Sequence, residues 1–183
     1  NISMMPEYSA VCGISQSELE TLMKKPVKDM AEKHQTSTDE VLAQLKRNYD
    51  GYHFCDDSED IYNPYSLINA LSDKEIKSFW FDTGTPTYLL ERISKSDIDE
   101  TELDNMPMIP PSDFDVSPEL TDNPLPMLYQ TGYLTIKGYD PLTELYTLGY
   151  PNREVKLGFT RGLLSQYQSQ HFTSSGGFVA RFF

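Results

Sequence analysis

Apolar residues along this chain fall into short periodic runs separated by capping and turn residues, and that punctuation predicts most of its elements. Ser15-Gln16-Ser17-Glu18 has the form of a capping box, in which Ser accepts from an early helix amide and Glu reaches back to the cap's own amide. It predicts a helix through about Lys25, with Leu19, Leu22 and Met23 on its apolar face. A second box, Ser37-Thr38-Asp39-Glu40, opens a helix with Val41, Leu42 and Leu45 on its buried stripe, ending near Tyr49. Gly51 just beyond it is suited to the left-handed conformation that closes a helix. Tyr52-His53-Phe54 then alternates like a short strand, and Ile61-Tyr62 is its expected partner across an acidic turn.

Asn63-Pro64 predicts a helix over Tyr65 to Leu71, because Asn caps well and Pro is preset for the first turn. Phe79-Trp80-Phe81 is an aromatic run, and Thr83-Gly84-Thr85-Pro86 repeats the cap-then-Pro device before a helix from Thr87 to about Ile93. From Ser96 to Asn123 the chain is acidic and broken by Pro107, Pro110, Pro111 and Pro118, which predicts a connector with an extended edge strand. A short helix follows over Pro124 to Thr131, then strands at Tyr133 to Lys137 and Glu144 to Leu148, joined by a turn. Asn152 caps a closing helix whose stripe includes Val155, Phe159, Leu163 and Leu164.

The fold class this implies is α+β and mainly helical. A helical lid-like region with a short hairpin spans 1–95, an acidic Pro-rich connector 96–123, a winged-helix-like helix, hairpin, helix unit 124–170, and a linker or tail 171–183. With 183 residues and 38% hydrophobic content, the chain has enough apolar surface for one good core or two small ones. No stretch approaches the roughly twenty apolar residues of a spanning helix, so no membrane partner is expected. The two cysteines, Cys12 and Cys55, match no metal-knuckle spacing and fit a reducing compartment, which points to a cytoplasmic location. The chain opens at Asn1 without an initiator Met or a signal-like run, and we expect it to be cut from something longer.

Charge is distributed unevenly. The formal total of −13 divides into −1 over residues 1–49, −14 over 50–128 and +2 over 129–183. Phosphate binding needs clustered cations, so only the last third suits a nucleic acid, and the middle repels one. There Lys137, Arg153, Lys156 and Arg161 are the candidates for nucleic-acid or partner contact, against the plainer reading of a solvated helix face. Asp50, His53, Asp56, Asp57, Glu59 and Asp60 form the densest set of metal-ligand types, but the spacing fits no EF-hand loop, and a solvated hairpin tip is the favoured reading; no metal site is assigned. No Ser lies in a nucleophile-elbow pattern, and His34, His53 and His171 are scattered, so no catalytic residue is expected.

Five ordered motifs stand out: Tyr49-Asp50-Gly51-Tyr52-His53-Phe54, Tyr62-Asn63-Pro64-Tyr65-Ser66-Leu67, Phe79 to Thr87, Tyr129-Gln130-Thr131-Gly132-Tyr133-Leu134-Thr135-Ile136 and Leu148-Gly149-Tyr150-Pro151-Asn152-Arg153-Glu154-Val155. Together, over roughly Tyr8 to Tyr167, they resemble the predicted AAA-ATPase-like family, whose members carry a P-loop ATPase core before this region and a PD-(D/E)xK-type nuclease domain after it. The resemblance implies a noncatalytic regulatory or lid segment, with the parent's own ATPase core and nuclease-like domain as partners and ATP with magnesium as the parent's ligands. No Gly here precedes a Lys followed by Ser or Thr, so this chain has no phosphate loop and no cofactor of its own is expected. If it touches nucleotide in the parent, the candidates are Thr83, Gly84 and Thr85, at a helix start, and Asp50. The rival reading is a nucleic-acid-binding winged-helix-like module.

Overall fold

A computed structural model describes residues 8, 10–54, 58–82, 87–94, 96, 103, 107–117 and 121–171. The fold is α+β and mainly helical, with two small antiparallel sheets. Strand β1 (Ile14–Ser15) runs into α1 (Gln16–Leu22), where both halves of the capping box form: Ser15 Oγ accepts from the Glu18 amide at 3.2 Å and Glu18 Oε2 accepts from the Ser15 amide at 2.9 Å. The first helix ends earlier than the sequence suggests. A break at Met23 starts α2 (Lys24–His34), an element the pattern reading missed, and leaves Leu22 77% exposed rather than on the buried face with Leu19.

Gln35 closes α2 in the left-handed region at φ 53°, and Ser37 opens α3 (Thr38–Tyr49) by accepting from the Glu40 amide. Asn63 caps α4 (Pro64–Asp73) as expected, taking the Tyr65 and Ser66 amides on Oδ1. The first core gathers Leu19, Met30, Val41, Leu45, Tyr62 and Leu67 between these helices. Tyr49 closes it: its hydroxyl donates to the Lys77 carbonyl at 2.8 Å and accepts from the Lys77 amide at 3.0 Å, tying the end of α3 to the segment after α4.

The expected pairing of 52–54 with 61–62 is reduced to one contact. Tyr52 and Ile61 make a single antiparallel bridge, while β2 (Ile61–Tyr62) pairs with β1. The competing partner of residue 53 is distant in sequence: its carbonyl accepts from Thr135 Oγ1 at 2.8 Å and from the Ile136 amide at 3.3 Å. After α5 (Phe79–Asp82) and α6 (Thr87–Ser94), β3 (Met108–Ile109) supplies the edge strand expected in the Pro-rich stretch. A 3-10 turn at Pro111–Asp115 buries Phe114.

Helix α7 (Leu125–Gln130), the hairpin β4 (Thr135–Asp140) and β5 (Leu145–Gly149), and α8 (Arg153–His171) follow in the expected order. Strand β4 begins two residues late because Tyr133 and Leu134 both donate their amides to the Leu128 carbonyl, wrapping the end of α7. Sheet order is β3, β5, β4. Leu128, Leu134, Ile136, Leu148, Val155, Phe159 and Leu163 build the second core, joined by Leu89, Leu90 and Ile93 of α6 and by Tyr52 and Ile61. Chain from both sides of the acidic connector packs in the second core. Among the described residues no helix is long and apolar enough to cross a membrane.

Candidate functional site

The motifs that stand out in the sequence meet at one junction. Gly51 has φ +93°, a conformation natural to glycine, and a Cβ placed there would lie 2.2 Å from the Pro151 carbonyl oxygen. The segment after α3 thus lies directly against the turn before α8. Lys137 spans the contact: its Nζ donates to the Gly51 carbonyl at 3.3 Å and to the Pro151 carbonyl at 3.4 Å. Loss of solvation around the ammonium holds its pKa below the ordinary lysine value, opposed by the charges of Asp60 and Asp50.

Asp50 is 4% exposed, with Oδ2 3.9 Å from Lys46 Nζ and Oδ1 without a hydrogen-bond partner among the described residues. Burial raises its pKa above the usual 3.8; the Gly51 backbone opposes the shift, Asp60 adds to it, and Lys46 and Lys137 oppose it. Next along the chain, His53 donates its amide to Thr135 Oγ1 at 2.8 Å, and its Nδ1 lies 3.0 Å from Asp60 Oδ1. The Trp80 amide donates to Glu154 Oε1 at 2.9 Å, and Glu154 is 2% exposed near the start of α8. Asn152 caps α8, accepting from the Val155 amide at 3.1 Å. Beside the junction, Tyr52, Phe54, Trp80, Asn63 and Gly132 line a largely apolar cavity of about 200 Å³.

A second feature lies where α3 packs on α8. Gln44, Arg47 and Asn48 from α3, Ile76, Lys77 and Ser78 from the segment after α4, and Arg153, Glu154, Leu157 and Arg161 from α8 line a cleft of about 480 Å³. Lys77 pairs with Glu75 at 2.7 Å. Arg47, Arg153 and Arg161 are exposed and make no ion pair among the described residues.

Of the residues singled out from the sequence, Thr83, Gly84 and Thr85 lie outside the described residues. Asp50 is in the junction. The four cations named as candidates for nucleic-acid or partner contact stand in different places: Arg153 and Arg161 line the cleft, Lys137 is held at the junction, and Lys156 is exposed on α8 but does not line the cleft. Asp56 and Asp57 lie outside the described residues, and among the described residues no three His, Cys, Asp or Glu side chains converge as metal ligands would. Sequence reasoning missed Arg47 and Lys77. No local signal marks them: Arg47 reaches the cleft on α3, and Lys77 through its segment's hydrogen bonds to Tyr49.

An uncharacterized protein in the vnfD 5' region of Azotobacter chroococcum mcd 1 is 29% identical over 171 residues, covering 91% of this chain. The chain spans about 30% of that relative's length. No family model matches the sequence, and no solved structure matches it.

Proposed function

We propose that this chain is a noncatalytic regulatory segment of a longer, cytoplasmic AAA-ATPase-like protein, a lid-like part and a helix, hairpin, helix part that together couple a nucleotide-binding core to a downstream nuclease-like domain. The observation that carries the reading is the Gly51 to Pro151 contact with Lys137 across it, because two of the motifs behind the resemblance are there in direct contact and Lys137, the residue after a third, bridges them. An element that changes its packing with a ligand elsewhere must transmit displacement rather than absorb it, and a backbone contact with no room for a Cβ does so. The length of the Azotobacter relative supports a parent that extends well beyond these residues. ATP and magnesium belong to that parent's core, and the partners of this segment are the parent's own domains.

A nucleic-acid-binding module is less well supported. It needs Lys137 and Lys156 beside Arg153 and Arg161, and Lys137 is engaged with two backbone carbonyls. Incubating the pure 183-residue chain with ATP and magnesium tests the reading. No phosphate release is expected; turnover that a point substitution within the chain abolishes contradicts it.

A further inference from the structure

The cleft between α3 and α8 is not used by the regulatory reading, and its composition is unusual for a chain of net charge −13. Four cations from three separate segments, Arg47, Lys77, Arg153 and Arg161, line it against a single carboxylate, Glu154, whose Oε1 already accepts from the Trp80 amide. On α8, Arg153, Leu157 and Arg161 follow at intervals of four and make one stripe roughly 12 Å long at about 1.5 Å per residue. On α3, Gln44, Arg47 and Asn48 make the opposing stripe. Like charges brought together by folding cost free energy unless something neutralises them. Here three guanidinium groups have no carboxylate partner among the described residues, so a ligand is the available counter-charge.

We propose that this cleft binds a compact phosphate-bearing anion carrying two or three linked phosphates. Guanidinium forks match phosphate oxygens with paired, charge-assisted hydrogen bonds, and Gln44, Asn48 and Ser78 add neutral polar groups. Among the described residues the only apolar lining residues are Ile76 and Leu157, and no aromatic ring lines the cleft on which a base would stack, so recognition is of phosphate rather than nucleoside. A long nucleic-acid backbone is disfavoured because Asp73 and Glu75, which pair with Lys77, would repel a strand passing that residue.

Calorimetric titration of the full chain with pyrophosphate, tripolyphosphate and a single-stranded oligonucleotide at low salt tests this. We expect the oligophosphates to bind, and Arg47→Gln, Arg153→Gln and Arg161→Gln each to weaken them at least about tenfold. Lys156→Gln, the same charge loss on the same helix outside the cleft, should leave affinity within about twofold. All four positions are exposed, and unchanged thermal melting of each variant confirms that folding is intact. Absence of oligophosphate binding, equal weakening by Lys156→Gln, or tighter binding of the oligonucleotide than of tripolyphosphate overturns the proposal.

Discussion

Gly51 and Pro151, a hundred positions apart in sequence, touch through their backbones: a Cβ on the first would sit 2.2 Å from the carbonyl oxygen of the second. Neither residue bears a functional group, yet together they fix how the end of α3 meets the start of α8. Gly51→Ala places a methyl against backbone that cannot rotate away, at a φ of +93° that L residues rarely adopt. We expect a loss of about 3 kcal/mol or more in urea unfolding. Gly132→Ala, also at positive φ but with its nearest contact at 3.6 Å, should cost about 1 to 2 kcal/mol. Equal losses would mean that the close approach contributes nothing.

The Asp50 carboxylate makes stability fall with rising pH. Its folded pKa lies above the unfolded value of 3.8, so the native state holds a proton that the unfolded chain has released, and stability drops as pH climbs through that interval. Asp50→Asn keeps the shape and removes the charge. Unfolding free energies measured across pH should show the variant gaining on the parent sequence above about pH 4 and then holding a constant advantage. A variant less stable than the parent at neutral pH would show that Lys46 and Lys137 outweigh the burial.

Four tyrosines set an alkaline limit. Burial pushes Tyr49 and Tyr133 up to about 12, and Tyr52 and Tyr62 above that range. All exceed the unfolded value of 10.0, so the stability they contribute is complete below pH 10 and is lost as pH rises toward the folded values. Phenolate absorbance should therefore rise in two stages, the exposed tyrosines first and the buried ones only together with loss of helical circular dichroism. A single smooth titration with intact helicity would contradict the burial.

Local punctuation was the legible part of this fold. Ser15, Ser37, Asn63 and Asn152 each act within three or four residues, and each cap appears where the sequence places it. Ser37→Ala should cost about 1 kcal/mol by thermal unfolding. The failures involve partners far apart in sequence. Helix α2 lacks a side-chain cap at Met23, so its start is unmarked, and its Val27, Met30 and Ala31, although at helical spacing, are few and are buried against α3 and α4. Residues 52–54 alternate like a strand, but residue 53 finds Thr135, 82 positions away, a pairing that no short-range pattern encodes.

The candidate sites follow the same rule. Motif residues Asp50, Gly51 and Asn152 stood out because turns and caps demand special residue types, and Gly51 meets Pro151, the residue before Asn152. Arg47 and Lys77 are ordinary surface cations in the sequence. Arg47 comes beside Arg153 through the contact of α3 with α8, and Lys77 through its segment's hydrogen bonds to Tyr49 at the end of α3.

Hydrogen exchange in the full-length parent, with and without a nonhydrolysable ATP analogue, tests the regulatory account most directly. Residues 49–54, 133–137 and 149–155 should exchange as one cooperative block, and nucleotide should change the protection of that block as a whole. Protection in these segments that is unaltered by nucleotide, while the parent's core visibly responds, would contradict the account.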